Sequence, residues 1–216
     1  MKPKRLITHG CSFTYGEELS DPSASSWPSL LADRLSLNLS NLAKPGYNND
    51  GIIEDILELD LGMDDLVIVS WTSYIRIMFK DDNGWFTLMP NNRMNDVFPN
   101  RLNLIKHFME AANDFWLYKR WINQILLLQN YLESQHVKWL FLSAFDNQSQ
   151  YTKYNKNMRA MMSKVATSNF VDWPSGGITE WVYPSPLGPK GHPLEEGHAK
   201  VAAKLLDALA IRYDIR

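Results

Sequence analysis

Cysteine is scarce in this sequence: Cys11 is the single one among 216 residues, so an internal disulfide is excluded. Folding without disulfides is typical of reducing compartments and predicts a cytoplasmic location. An excess of one charge sign is missing as well, because the formal net charge is only -2. Nothing indicates the basic surface that nucleic acids require. No apolar run is long enough to span a bilayer or to serve as a signal peptide. We therefore expect neither nucleic acid nor membrane as a partner.

Linkers, repeats and low-complexity segments are also missing, and the length suits one domain over residues 1–216. Hydrophobic residues make up 45% of the chain and charged residues 21%, which is ordinary for a globular protein. The histidine spacing does not suggest a zinc site, and we expect neither a metal nor a cofactor. The sequence does not indicate an oligomeric state.

Short apolar runs alternate with amphipathic segments, which predicts strands alternating with helices. The runs Leu6–Thr8, Leu66–Val69 and Val137–Leu142 indicate buried parallel strands, and Leu37–Ala43 indicates a second strand that alternates apolar and polar residues. This order favours an α/β fold: a three-layer sandwich with a mostly parallel, flavodoxin-like central sheet and helices on both faces.

The stretch from about residue 73 to 114 departs from that alternation and is interpreted as an insertion. Two apolar runs between Ile75 and Met89 flank Asn83-Gly84, and Asn-Gly is the strongest short hairpin signal. A β-hairpin outside the parallel sheet is therefore predicted. Two helices are expected after it, at about Arg101–Ala112 and Phe115–Gln135. Such an insertion is a natural place for a substrate-recognition cap.

Residues 9–16 place a hydroxyl residue, Ser12, between Gly10 and Gly16 where the first predicted strand ends. Open α/β sheets bind their ligands at the carboxyl ends of their strands. The spacing matches neither a phosphate loop nor a dinucleotide fingerprint, and Thr14 replaces the second glycine of the α/β-hydrolase elbow. From these residues alone, a glycine-rich turn with a capping serine is as good an interpretation as a nucleophilic site. Cys11 is a weaker candidate nucleophile.

Two further blocks favour catalysis. Gly191-His192-Pro193 precedes the last amphipathic run, and residues 41–49 carry Pro45-Gly46 after the second predicted strand. Together with Gly10-Cys11-Ser12, and in this order, these blocks resemble the SGNH (GDSL-type) hydrolases over nearly the whole chain. In that family a serine near the N-terminus is the nucleophile, and a histidine in a D-x-x-H-P block near the C-terminus is the base. The resemblance implies these roles for Ser12 and His192.

The resemblance also implies an oxyanion hole, formed by the backbone N–H groups of Ser12 and Gly46 and by an asparagine in a G-x-N-D block. That asparagine is missing here, because the third strand ends in Ser70-Trp71-Thr72-Ser73. We take Ser73 as the candidate third donor. The open alternatives are the side chains of Thr72, Asn48 and Asn49.

The aspartate expected three residues before the histidine is also missing, since that position holds Pro189. We therefore predict a Ser-His dyad in which Nδ1–H of His192 is donated to a backbone carbonyl of the Gly188–Gly191 loop. His9 is close enough in sequence to Ser12 to line the site. His198, in the last predicted helix, is expected to pack or cap.

A serine hydroxyl needs a base within hydrogen-bond reach, and neutral histidine suits that task near pH 7. The predicted function is hydrolysis of a small-molecule or carbohydrate ester. The alternative is a catalytically weak or inactive module that keeps the fold for binding. Three tryptophans in predicted loops or hairpins, Trp85, Trp173 and Trp181, are candidates for stacking on sugar rings.

Overall fold

The computed structural model describes residues 2–82, 84–88, 99–147 and 155–215. Its strands are β1 (Arg5–His9), β2 (Asn38–Asn41), β3 (Asp65–Trp71), β4 (Ile77–Asp81), β5 (Gly84–Leu88) and β6 (Lys138–Ser143). Four of them form a parallel sheet in the order β2-β1-β3-β6, which starts as a flavodoxin-like sheet does. The predicted α/β fold with a mostly parallel sheet is confirmed.

The helices of the described residues are α1 (Ser12–Tyr15), α2 (Pro22–Ser25), α3 (Trp27–Leu35), α4 (Asn49–Leu57), α5 (Pro99–Ala111), α6 (Asp114–Ser134), α7 (Lys156–Met162), α8 (Ile178–Trp181) and α9 (Glu195–Tyr213). None of them is long and apolar enough to cross a membrane. The last helix, α9, begins shortly after the Gly191-His192-Pro193 block, as the sequence predicts. Beyond β6, Phe170 makes a single parallel bridge with Phe141.

The sheet separates two apolar cores because successive side chains of a strand point to opposite faces. Leu66 and Ile68 of β3 face the core that contains α3 and α9. Val67 and Val69 of the same strand face the core that contains α4 and α6. Every residue of β3 is buried, which explains its continuous apolar run. Helices on both faces give the three layers that the sequence predicts.

The predicted hairpin is confirmed as a separate two-stranded antiparallel sheet, β4 with β5. The Asn-Gly signal placed Gly84 in the turn. In the structure Gly84 pairs with Asp81 and therefore belongs to the second strand. Asn83 and Met89 lie outside the described residues. The hairpin is fastened to the start of α4, where Met78 N–H donates to Asp50 Oδ2 at 3.0 Å. It therefore stands beside the carboxyl edge of the parallel sheet.

Candidate active site

Ser12 is the first residue of α1, which follows β1 almost directly. The amides of Thr14 and Tyr15 both donate to the Cys11 carbonyl at 3.0 Å, which closes the turn. The first residue of a helix has no N–H acceptor within that helix, so the Ser12 N–H is available to an anion. Gly10 is required here, because a Cβ at this position would lie 2.4 Å from Thr14 Oγ1. The turn that carries Ser12 is therefore built by tight local packing.

His192 lies in the loop before α9, and a carboxylate holds its ring. Nδ1 is 2.8 Å from Oε2 of Glu18, and the His192 backbone N–H donates to the same oxygen at 3.1 Å. The expectation of a backbone carbonyl from Gly188–Gly191 as the partner of Nδ1 is therefore wrong. The physical reason is that the chain after α1 runs beneath this loop and presents an ionised side chain to it, which is a stronger acceptor than a carbonyl.

The Glu18 carboxylate is well supplied with donors. It accepts the Lys190 backbone N–H at 2.9 Å in addition to the two groups of His192. Burial opposes its ionisation, but the hydrogen bonds from Lys190 and His192 outweigh burial and lower the pKa of Glu18 below its usual value. A Cβ on Gly188 would lie 2.7 Å from Glu18 Cδ, so only glycine leaves room for the carboxylate.

The backbone of Glu18 has φ 74, in the left-handed region that side chains other than glycine rarely adopt. Such a conformation persists only where the surroundings enforce it, and it concentrates at functional sites. Here the Lys190 and His192 bonds are the enforcing contacts.

The other ring nitrogen of His192, Nε2, faces a second carboxylate, with Oε2 of Glu17 at 3.5 Å. The Phe13 ring meets the imidazole edge-on with 5.4 Å between centroids. Within the described residues no hydrogen bond joins Ser12 to His192. The structure thus brings His192 against Phe13, the residue that follows Ser12, but it shows no hydrogen bond between the Ser12 and His192 side chains.

Gly46 lies in the turn Lys44–Tyr47, which is closed by Tyr47 N–H donating to Lys44 O at 3.2 Å. Its φ of 71, directly after Pro45, is the geometry of a type II turn and favours glycine. The Lys44 N–H donates to the Gly10 carbonyl at 3.3 Å, so this turn is attached beside the turn that carries Ser12. The role of the Gly46 N–H as an oxyanion donor stays a prediction.

The asparagine alternatives are engaged in structural bonds. Asn49 accepts Thr72 N–H at 2.9 Å and donates Nδ2 to Thr72 O at 3.2 Å, which ties α4 to the end of β3. Asn48 caps α4 by accepting Gly51 N–H and donates Nδ2 to the hairpin. Ser73 is half-buried after β3. Its hydroxyl remains our candidate for the third donor.

His9 does not line the site as a free ring. Its side chain is fully buried, Nδ1 accepts the Gly10 N–H at 2.9 Å, and Nε2 is 2.9 Å from Asp55 Oδ2. His198 accepts the Trp27 N–H on Nδ1 at 3.0 Å, and so caps α3 from inside the core, as expected.

Sequence reasoning missed Glu18. It also missed Arg76, whose Nη1 donates to Thr72 Oγ1 at 2.8 Å and to the Tyr47 carbonyl at 3.1 Å. Glu17 and Glu18 stand in a polar stretch interpreted as loop, and two acidic residues close after the candidate nucleophile were the available signal. Arg76 gave no signal, because its position depends on how the chain turns after β3.

The sequence matches no family model, and no curated protein matches it. Solved structures do match in fold. A protein of the G-D-S-L lipolytic family from Desulfitobacterium hafniense has a TM-score of 0.57 and 15% identity, with 95% of this chain and 99% of that chain covered.

Two further solved structures match to a similar degree. A carbohydrate esterase of family 2 with a carbohydrate binding domain, from Myceliophthora fergusii, has a TM-score of 0.58 and 14% identity, with 99% of this chain and 68% of that chain covered. The esterase EstA from Pseudoalteromonas, in a structure inhibited by monoethylphosphonate, has a TM-score of 0.54 and 10% identity, with 96% of this chain and 97% of that chain covered. The fold is therefore that of the SGNH (GDSL-type) hydrolases, as the sequence blocks predict.

Proposed function

We propose that the protein is a serine esterase in which Ser12 is the nucleophile, His192 the base and Glu18 the group that orients the base. The observation that carries this proposal is the 2.8 Å contact of His192 Nδ1 with Glu18, beside the turn that begins with Ser12. A carboxylate at Nδ1 selects the tautomer with Nδ1–H and leaves the lone pair on Nε2. A triad thus replaces the expected dyad.

The reaction follows from these positions. Nε2 of His192 takes the proton of Ser12 as Oγ attacks the ester carbonyl, and the charged oxygen of the tetrahedral intermediate is held by N–H groups of Ser12 and Gly46 and by the Ser73 hydroxyl. Collapse of the intermediate breaks the ester C–O bond, and His192 returns the proton to the departing alcohol. Water, deprotonated by the same nitrogen, then attacks the acyl carbonyl. The bond between the acyl carbon and Ser12 Oγ breaks, and His192 returns the proton to Oγ as the acid leaves.

The ring must shift from Glu17 toward Ser12 for the first step. Catalytic hydrogen bonds are often long before substrate binds, so the 3.5 Å contact with Glu17 is compatible with this mechanism. The same contact favours the second candidate, a binding module without turnover, if Glu17 holds Nε2 permanently.

The proposed substrate is a small-molecule or carbohydrate ester. The fold similarity to the carbohydrate esterase of Myceliophthora fergusii supports a carbohydrate ester. Among the three tryptophans considered for sugar stacking, Trp85 on the hairpin is 56% exposed. Trp173 packs against Trp121 and Phe170, which favours a structural role for this ring. We further propose one domain over residues 1–216 and, from the single buried cysteine, a reducing cytoplasmic setting.

A fluorophosphonate tests the proposal directly. Wild type should gain one label by intact-mass spectrometry, and Ser12→Ala should gain none. Cys11→Ala is the matched control for the neighbouring nucleophile, which is fully buried, and it should label as wild type does. Equal labelling of Ser12→Ala and wild type rejects Ser12 as nucleophile. Absence of labelling and of esterase activity in wild type favours the binding module.

A further inference from the structure

Arg76 is connected to His192 through two phenylalanine rings. The guanidinium carbon of Arg76 is 5.4 Å from the Phe145 ring centroid, and the Phe145 and Phe13 rings are 5.0 Å apart. Phe13 in turn meets the His192 ring at 5.4 Å. These four side chains form a row with the proposed general base at one end and a cation at the other. Ser12 precedes Phe13 in the chain and therefore lies beside the middle of the row.

One nitrogen of Arg76 makes both of its hydrogen bonds. Nη1 donates to Thr72 Oγ1 at 2.8 Å and to the Tyr47 carbonyl at 3.1 Å. Arginine has five N–H donors, of which Nη1 carries two. Nε–H and both protons of Nη2 therefore have no acceptor within the described residues. The guanidinium is anchored along one edge and free along the other.

Arg76 also lacks an acidic partner within the described residues. Arg5, Arg101 and Arg120, by contrast, each pair with an aspartate. Arg76 is half-buried. Its two acceptors, Thr72 and Tyr47, are the sequence neighbours of the candidate oxyanion donors Ser73 and Gly46. A fixed, partly desolvated and unneutralised cation beside a reaction centre is available for a ligand's charge.

The free Nε–Nη2 edge is the planar fork that pairs with a carboxylate or a similar oxyanion through two parallel hydrogen bonds. His192 must protonate the departing alcohol, so the alcohol part of the ester lies at the His192 end of the row. We propose that Arg76 binds an anionic group on the acyl part of the substrate. The protein would then be selective for esters of dicarboxylic or otherwise anionic acids. This inference rests on the proposed esterase function for the assignment of the two ends.

Two matched ester pairs test whether a negative charge on the substrate matters and whether it must lie on the acyl part or the alcohol part. Mono-4-nitrophenyl adipate and its methyl diester differ in a charge on the acyl part, whereas 4-acetoxybenzoate and its methyl ester differ in a charge on the alcohol part. Within each pair, the ratio of kcat/KM for wild type and variant cancels the intrinsic reactivity of the ester. We expect wild type to prefer the adipate monoanion to its diester, and the preference to weaken with added salt.

Arg76→Gln should lower kcat/KM on the adipate monoanion by roughly tenfold to a hundredfold more than on the diester, the range expected for hydrogen bonds to a charged group. Arg76→Lys should recover part of that selectivity. Arg101→Gln is the matched control: Arg101 also stands over a phenylalanine ring, at 4.3 Å from Phe86, but Asp81 neutralises it. It should leave the adipate selectivity unchanged.

Equal losses on both adipate esters in Arg76→Gln would assign Arg76 a purely structural role and overturn the subsite. Dependence on Arg76 confined to the 4-acetoxybenzoate pair would overturn the acyl-side assignment. If wild type cleaves no ester, the esterase proposal fails, and the subsite is judged by binding. Monomethyl adipate should then bind Ser12→Ala in saturation-transfer NMR, and dimethyl adipate should not. Equal signals for the two, no signal, or a signal that persists in the Ser12→Ala, Arg76→Gln double variant would overturn the subsite.

Discussion

Two histidine–carboxylate pairs flank the same turn and have different environments. His192 contacts Glu18 at 2.8 Å through Nδ1, and His9 contacts Asp55 at 2.9 Å through Nε2. The His192 side chain is 13% exposed, whereas that of His9 is 0% exposed. Near-equal distances therefore do not imply equal chemistry, and the difference lies in what the second nitrogen of each ring does.

The second nitrogen of His9 is already used. Nδ1 accepts the Gly10 N–H, so Nε2 carries the proton and donates it to Asp55. Burial lowers the pKa of His9 and keeps the ring neutral. Burial opposes ionisation of Asp55 as well, but bonds from His9 and Lys44 lower its pKa. This pair supports the turn and cannot take a proton from Ser12.

The largest expected effect separates the two histidines. His192→Asn should lower kcat/KM by about 10³-fold or more, because the proposed base is lost, and should change the free energy of unfolding by less than about 1 kcal/mol. His9→Asn should do the reverse, with a clear loss of stability and a smaller loss of activity. Ester hydrolysis and urea unfolding measure both quantities. Equal activities of His192→Asn and wild type would remove His192 from the mechanism.

The two glutamates beside His192 sharpen the comparison. Glu18→Gln keeps the side-chain shape but replaces the ionised partner of Nδ1, so we expect kcat/KM to fall by about 10²-fold. Glu17→Gln is the matched control, because Glu17 lies 3.5 Å from Nε2 and not at Nδ1. It should retain activity or raise it, since the ring is freed toward Ser12. A greater loss in Glu17→Gln than in Glu18→Gln would reverse the assigned roles.

Asp55 is the stability test of the buried pair. Asp55→Asn leaves His9 and Lys44 without their charged acceptor and should cost about 2 kcal/mol in urea unfolding. Asp64→Asn removes an exposed pair, in which the Lys4 and Asp64 side chains are 75% and 41% exposed, and should cost less than about 1 kcal/mol. Similar costs for the two variants would show that the buried pair has no special structural role.

His198 provides the smallest effect and a dependence on pH. Burial lowers the pKa of His198 from 6.5 to about 4. The unfolded chain therefore binds more protons between these values, and stability rises with pH across this window. We expect a contribution on the order of 1 kcal/mol, less than the full shift implies because local opening relieves part of the burial.

The His198→Asn variant isolates that contribution, since an asparagine oxygen can still accept the Trp27 N–H. Urea midpoints at pH 4.5 and pH 7 should differ less in His198→Asn than in wild type. His107→Asn, at a side chain that is 75% exposed, should keep the wild-type difference. Identical pH dependence in wild type and His198→Asn would contradict the role of the buried ring.

The sequence by itself determined the parallel α/β fold, the hairpin and the order of the three blocks that contain Ser12, Gly46 and His192. These features are local: apolar runs mark buried strands, Asn-Gly marks a turn, and glycine is favoured where φ is positive. The tertiary structure decided the partners. Glu18 and His192 are 174 positions apart, and their contact depends on a left-handed backbone at Glu18 and on a glycine opposite it.

The same division explains Asn49 and Arg76. An asparagine near a predicted turn was a candidate oxyanion donor, but packing of α4 against the end of β3 committed its amide to the Thr72 backbone. Arg76 carried no motif, yet the turn after β3 places its guanidinium over Phe145. Residue type and local pattern predict which groups a chain can offer. Which of them meet, and which are consumed by structural bonds, depends on contacts between distant segments that only the folded chain defines.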